Sequence, residues 1–392
     1  MKIALKSFKN GKVLLENAPV PSISNNEVLI KNLYSVISPG TEKMLLDFGR
    51  SNLLSKILKE PERVKEVLNK VSSDGLKATY KSVNTKLDEW TPMGYSSFGE
   101  VIESKTKEFK VGDFVISNGP HSEYVAVNKN LCALVPKKVS QIESSFTVIA
   151  SVALQAIRLA KPNQGETFVV YGLGLIGLIL VQLLRANGCK VMGVDINEKR
   201  LNLAKKFGAY THNNLTEASL INSSLNFSKN MGVDGVFLTL SSKSDKPVSE
   251  AAQMCRKRGR VILTGVTGLN LKRQDFYEKE ISFRVSSSYG PGRYDPIYED
   301  KGLDYPYGYV RWTEKRNFEA ILDLLSENMI SFKDLVSKEY SFESIEDAFE
   351  DLMENDSLGI VLRYSAESNN LSKTVQINQK KRQKNEIKKV SI

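Results

Sequence analysis

The sequence predicts an α/β protein with two domains: an antiparallel, barrel-like β unit near the N-terminus and a doubly wound parallel sheet in the middle. Three observations predict it. Apolar and polar residues alternate with a period of two through VLLENAPVP and EVLIKNLYSVI. Between residues 166 and 286, apolar strand-like runs alternate with helix-like runs at βαβ spacing. A Gly-x-Gly-x-x-Gly turn joins the first of those strands to the first of those helices. At 392 residues, 41% hydrophobic and 26% charged, the chain has apolar material for two cores, and collagen-like, disordered and coiled-coil classes are excluded.

Taken in order, the first 35 residues read as short strands punctuated by Pro and Asn. FGEVIES, VGDFVISNG and HSEYVAVN, within 98–128, continue the β unit, with Gly112-Asp113 as a turn. Residues 52–90 carry apolar stripes at helical spacing (Leu53, Leu54, Ile57, Leu58; then Val64, Val67, Leu68, Val71; then Leu76, Tyr80, Val83, Leu87) and predict a helical insertion packed on that unit. ETFVVYG is a strand, LIGLILVQLLRANG a helix stopped by Gly188, CKVMGVD a strand and NEKRLNLAKKFG a helix. VDGVFLTL and GRVILTGV are later strands. After residue 287 comes a Tyr/Gly/Pro/Arg-rich stretch, then helices over Asn317–Ser326 and Glu343–Met353 and a strand over Gly359–Tyr364. The expected division is 1–150 for the β domain, 151–287 for the parallel-sheet domain, 288–364 for a return to the first, and 365–392 for a basic, disordered linker or tail.

Lys plus Arg exceeds Asp plus Glu by 10, but half of that excess sits in residues 365–392. The folded part is then nearly balanced, which argues against nucleic acid as a partner. The longest uncharged apolar run, around 167–184, is broken by glycines 172, 174 and 177, so a membrane span or membrane partner is not expected. Cys132, Cys189 and Cys255 stand far apart without a CxxC pair; Cys132 and Cys189 read as small core residues, and a reducing, cytoplasmic setting follows.

The turn Gly172-Leu173-Gly174-Leu175-Ile176-Gly177 follows the strand Phe168–Tyr171 directly and opens a helix. In such a turn the first glycine permits the bend, the second lets a pyrophosphate reach the backbone, and the third lets helix and strand pack closely. The helix N-terminus offers amides and partial positive charge to the phosphates. Asp195, 18 residues beyond Gly177, ends the next strand, where a carboxylate accepts both ribose hydroxyls and repels a 2′-phosphate. This predicts NAD(H) over NADP(H), although Lys199 and Arg200 stand where a phosphate would find charge. Arg200 is accordingly a cofactor candidate, and capping of the next helix is the alternative role for Asp195.

A β unit at the N-terminus, the GLGLIG turn and the closing SFESIEDAFEDLMENDSLGIVLRY together resemble the medium-chain dehydrogenase/reductase superfamily over residues 1–364. The resemblance implies a GroES-like catalytic domain made from both chain ends around a central Rossmann domain, with the cofactor oriented in the cleft between them. Many members hold a catalytic zinc through a Cys in a GICGTD-like motif and a His-Glu pair in a GHE-like motif. Here those places read Ser38-Pro39-Gly40-Thr41-Glu42 and Gly94-Tyr95-Ser96. Only two histidines, His121 and His212, exist in the chain; they read as structural or surface residues, with His121 opening a strand and His212 in a polar loop. The expectation is no zinc. Hydrogen-bond donors then take over the polarising work of a metal. Thr41, Tyr95 and Glu42 are the catalytic candidates, and volume filling by Tyr95 is the bland alternative.

Residues 284–316 concentrate six tyrosines with Arg293, Arg311 and Trp312. Aromatic faces and guanidinium groups suit a polyhydroxylated or anionic ligand. Tyr289, Arg293 and Tyr294 are the substrate candidates; sealing of a domain interface is the alternative. SSYGPGRYDP, YPYGYVRWTE, SPGTE and GYSSFGEV further resemble the N-terminal half of bi-domain oxidoreductases that carry a C-terminal Gfo/Idh/MocA-type domain. That resemblance implies a sugar or nucleotide-sugar substrate in polysaccharide biosynthesis and a possible partner domain of that type. The expected function is hydride transfer to or from a carbonyl or hydroxyl carbon. The rivals are a quinone or enone reductase and a non-catalytic NAD-binding scaffold.

Overall fold

The computed structural model describes residues 1–7, 11–44, 46–47, 90–217, 219–365 and 372–374. The helical insertion expected over 52–90 lies outside the described residues, apart from Trp90, as does most of the 365–392 tail. Two compact units form. One gathers the described parts of Met1–Gly112, Asn118–Val127 and Ser337–Ile392; the other holds Asp113–Ser117 and Asn128–Val336. The segment 288–336 thus lies in the same unit as the parallel sheet. Its helix Glu314–Ser326 buries Phe318, Ile321 and Leu322 and packs on the helix Thr147–Ala160. No helix among the described residues is long and apolar enough to cross a membrane.

In the first unit the strand Lys2–Ser7 pairs antiparallel with Val13–Asn17 and with Trp90–Pro92. The eleven-residue strand Glu27–Ile37 is central to a second sheet. It runs antiparallel to Ser97–Ser104 and to the late strand Gly359–Arg363, so both chain ends build this unit. The helix Ile345–Glu354 buries Ile345, Ala348, Phe349 and Leu352. They join Ala4, Ile37, Met93 and Ile360 in one cluster, so the ends are sewn together by apolar contact rather than by backbone pairing alone.

The second unit is built on six parallel strands: β1 (Thr167–Tyr171), β2 (Lys190–Asp195), β3 (Tyr210–Asn213), β4 (Val233–Leu238), β5 (Cys255–Leu263) and β6 (Ser282–Val285). Their order across the sheet is β3-β2-β1-β4-β5-β6, the doubly wound Rossmann order, with its switch between β1 and β4. Strands β1 and β2 are almost wholly buried, as their continuous apolar runs require. Helix α1 (Leu175–Ala186) follows β1 and is buried along most of its length. Gly188, at φ +75°, provides the left-handed residue that ends it. Helix α2 (Glu198–Lys206) is capped by Asn197, whose side chain accepts from the amides of Lys199 and Arg200. The α/β architecture, a barrel-like unit plus a Rossmann sheet, is the one expected.

Two positions depart from expectation. His121 lies ahead of the strand Tyr124–Asn128 rather than opening it. His212 lies not in a polar loop but on β3, where pairing with Val194 takes it into the sheet, and it is 1% exposed.

Candidate active site

The glycine turn joins β1 to α1 as its chemistry demands. Gly172 has φ +103°, and a Cβ there would meet the Leu240 amide nitrogen at 2.6 Å. A Cβ on Gly177 would lie 2.0 Å from the Gly172 carbonyl oxygen, so only glycine lets α1 come this close to the turn. Gly174 is different: a Cβ there meets nothing within 4 Å. Open space therefore lies in front of the helix start. The first helical bond runs from the Leu178 amide to the Gly174 carbonyl at 2.9 Å, which leaves the amides of Leu175, Ile176 and Gly177 without intrahelical acceptors. Leu173 is buried, its side chain against Gly193 of β2. These residues fit a dinucleotide: a backbone cradle open where a pyrophosphate would rest.

Asp195 ends β2 and is 8% exposed. Its Oδ2 accepts the Leu173 amide at 2.6 Å; its Oδ1 accepts the amides of Ile196 and Asn197 at 2.8 and 2.9 Å. The cap of α2 is Asn197, so the capping role considered for Asp195 falls to its neighbour. Asp195 instead ties the glycine turn to the end of β2, and a carboxylate with about four lone-pair sites still has capacity for a ribose hydroxyl. Arg200 sits half-buried in the first turn of α2, and Lys199 is exposed. Beside the turn, Tyr171 donates to Glu250 at 3.2 Å and accepts from Asn214 at 2.7 Å. Burial first, then the Glu250 charge, pushes its phenol above the usual range.

The first unit brings Thr41, Glu42 and Tyr95 together. Pro39–Lys43 forms a single π-type turn, with Pro39 at its start and the Glu42 amide bonded to the Ser38 carbonyl at 3.0 Å. Thr41 is exposed and its Oγ1 stands 3.4 Å from the half-buried Tyr95 hydroxyl. Burial raises the Tyr95 phenol and Glu42 adds to it, while hydrogen bonds from the Ser38 and Thr41 hydroxyls oppose it. Tyr95 is thus held as a neutral donor. Glu42 does not face outward with Thr41. It is 1% exposed, its Oε2 accepting the Ser38 amide at 2.6 Å and its Oε1 facing His121 Nε2 at 3.0 Å. Lys6, 5% exposed, lies within reach of the Glu42 charge; burial lowers its ammonium to about 8, against the pull of that charge.

The donor set here does not fit a zinc ion. It offers the hydroxyls of Ser38, Thr41 and Tyr95; the one carboxylate, Glu42, is bound to the Ser38 amide and to His121, and His121 has both ring nitrogens within hydrogen-bonding distance of protein oxygens. Structural and catalytic zinc sites use thiolate, imidazole and carboxylate ligands. All three cysteines are buried and free, and among the described residues no group of three His, Cys, Asp or Glu is placed to hold a metal.

The tyrosine-rich segment divides. Tyr289 is 4% exposed, its ring 5.5 Å from Phe318 and its carbonyl accepting from Asn317. Arg293 is paired with Glu299 at 2.5 Å and lies 4.4 Å over the ring of Tyr294. Tyr294 itself is 71% exposed at φ +66°. Of the three candidates, Tyr289 therefore serves packing, and Tyr294, with Arg293 behind it, presents a face. Sequence reasoning did not single out the most buried charged group of this segment. Glu314 has no exposure, and neither carboxylate oxygen finds a hydrogen-bond partner among the described residues. Burial, with Glu299 adding and Arg293 opposing, pushes its carboxyl up to about 9.

Residues 176–300 match the family described as Zinc-binding dehydrogenase. The chain is 22% identical over 373 residues to the sorbitol dehydrogenase of Bacillus subtilis, covering 86% of this chain and 90% of that one. It is 25% identical over 358 residues to the D-xylulose reductase of Saccharomyces cerevisiae, covering 87% and 91%. The solved galactitol-1-phosphate dehydrogenase of Escherichia coli superposes with a TM-score of 0.70 at 18% identity, covering 93% of this chain and 100% of that one. Fold and matches define the chain as an NAD(P)-dependent oxidoreductase. Its fold is the one shared by solved medium-chain dehydrogenases, and the relatives it resembles are of that type. The stretch behind the family's zinc-binding name, 176–300, includes neither Ser38–Glu42 nor Tyr95, so that name says nothing about the metal.

Proposed function

We propose that the chain transfers hydride between NAD(H) and a carbonyl or hydroxyl carbon of a polyol- or sugar-like substrate, without zinc. The observation that carries the metal-free reading is the Tyr95 hydroxyl, 3.4 Å from Thr41 Oγ1; that these residues stand where zinc members keep ligands is what the sequence resemblance implies. The polyol reading is supported by the names of the relatives. The preference for NAD(H) is supported by Asp195 at the end of β2.

When bound, the nicotinamide supplies or accepts the hydride. The open amides of Leu175, Ile176 and Gly177 hold the diphosphate, and Asp195 keeps the turn in place while accepting from the ribose. In the reducing direction Tyr95, kept protonated, donates its proton to the substrate oxygen, and Thr41 orients that hydroxyl and relays a proton from solvent back to it; in the oxidising direction the proton runs the other way. Tyr294 and Arg293 offer an aromatic face and a cation to a hydroxylated or anionic substrate. A cytoplasmic setting accords with three free, buried cysteines. A Gfo/Idh/MocA-type partner and a role in polysaccharide biosynthesis rest on the sequence resemblance alone.

The test is a substrate panel with NAD and NADP: sorbitol, D-xylulose and galactitol 1-phosphate against simple enones and quinones. Turnover of a polyol or ketose with NAD(H) is the expected result. Turnover of enones alone would replace this reading with that of an enone reductase.

A further inference from the structure

His121 is 0% exposed and touches both the turn that carries Thr41 and the segment that carries Tyr95. Its backbone amide donates to the Met93 carbonyl at 2.6 Å, and its carbonyl accepts the Ala4 amide at 2.9 Å. A Cβ on Gly94 would lie 2.6 Å from the His121 ring, so the glycine before Tyr95 rests directly on the imidazole. On one side the ring meets Glu42 Oε1 at 3.0 Å through Nε2; on the other it meets Ser35 Oγ at 2.8 Å through Nδ1. Ser35 Oγ is in turn 2.9 Å from the Tyr364 hydroxyl, which also receives the Ser122 amide.

With His121 as the Nε2–H tautomer, the donor and acceptor inventory orders this chain as follows. A carboxylate only accepts, so His121 Nε2–H donates to Glu42, as the Ser38 amide does to the other oxygen. Neutral Nδ1 then accepts the Ser35 hydroxyl. Ser35 accepts from Tyr364, and Tyr364 accepts from Ser122. In this arrangement every polar atom in the row has a partner.

Carboxylate, imidazole and hydroxyl in a row are also the parts of a hydrolytic triad. Burial excludes that use: Ser35 is 0% exposed and its oxygen is occupied by Tyr364.

We infer that His121 is a positioning residue for hydride transfer. It fixes Glu42, and through the Ser38 amide the turn that carries Thr41, against the Gly94–Tyr95 segment, so that the two hydroxyls stay in register. This rests on the proposed role of Tyr95.

The experiment is a double-mutant cycle on kcat and KM, with the best substrate of the panel and with NADH affinity measured by titration. His121→Phe removes both ring hydrogen bonds and lowers kcat at least tenfold, with the NADH Kd within twofold of the parent. His121→Gln, which keeps a donor near the Nε2 position, restores most of that loss. In a Tyr95→Phe background, His121→Phe lowers kcat by less than threefold further, because its effect passes through Tyr95. A purely structural role would give additive losses and no rescue. Should His121→Phe fail to fold, Ser35→Ala and His121→Gln carry the test, with Ser35→Ala expected to lower kcat severalfold at unchanged NADH Kd. Folded His121 or Ser35 variants with parental kcat, beside a crippled Tyr95→Phe, would overturn the inference alone. A fully active Tyr95→Phe would instead overturn the reading on which it rests.

Discussion

Glu42 and His121 are 79 residues apart in sequence and 3.0 Å apart in the fold, both sealed from solvent. The buried pair underlies an outward-facing pair, Thr41 and Tyr95. Polar groups buried at this depth are retained at a desolvation cost, so each must hold its partner in one geometry. What they hold in register is the Tyr95–Thr41 pair proposed above as the donor to substrate.

Tyr95→Phe removes that donor while keeping the ring. The expected loss in kcat is about a hundredfold or more, the usual contribution of a positioned general acid. Thr41→Val lowers kcat less, because the phenol remains. Steady-state kinetics with circular dichroism as a fold control checks both.

The second and third glycines of the cofactor turn separate binding from folding. Gly177→Ala places a methyl 2.0 Å from the Gly172 carbonyl and destabilises the protein by about 1–3 kcal/mol. Gly174→Ala meets no protein atom, so stability changes by less than about 1 kcal/mol, yet the methyl occupies the space for the diphosphate. NADH affinity is expected to fall at least tenfold for Gly174→Ala in a folded protein. Thermal melts beside fluorescence titrations distinguish the two.

Asp195→Asn keeps the size of the side chain but loses charge. Removing one charge-assisted hydrogen bond, worth about 1.5–3 kcal/mol, weakens NADH about tenfold to a hundredfold. It also relieves repulsion of a 2′-phosphate, so the NADH-to-NADPH affinity ratio falls. Equal losses for both coenzymes would assign Asp195 to the turn alone.

Glu314 makes the parallel-sheet unit pH-sensitive. Its carboxyl stands at about 9 in the fold and near 4.5 when solvated, so the native state holds the extra proton between those values. Stability conferred by that proton is full below about 4.5 and is lost as pH rises toward 9. Glu314→Gln removes this slope and raises the unfolding free energy most at pH 8–9, on the order of a few kcal/mol, and the urea midpoint with it. Urea melts of both proteins across that range read the difference directly.

The sheet, its order of elements and the glycine turn were legible because their signals are local: a period of two, a period of 3.6, and glycines at fixed offsets. The closing helix and strand, Ile345–Glu354 and Gly359–Arg363, were legible for the same reason. The buried row was not. Ser35, His121 and Tyr364 are separated by 86 and 243 residues, and no periodicity marks a contact of that span. Likewise a run of tyrosines does not reveal which rings turn inward. Tyr289 is 4% exposed and Tyr309 91%, a division set by Phe318 on a helix encountered only later in the chain.

The account stands on hydroxyl groups doing the work of a metal. Its most direct test is the zinc dependence of turnover on the best polyol of the panel, with protein dialysed against a strong chelator and with zinc then added back. The account predicts a kcat unchanged by either step. A kcat abolished by the chelator and restored by stoichiometric zinc would contradict it.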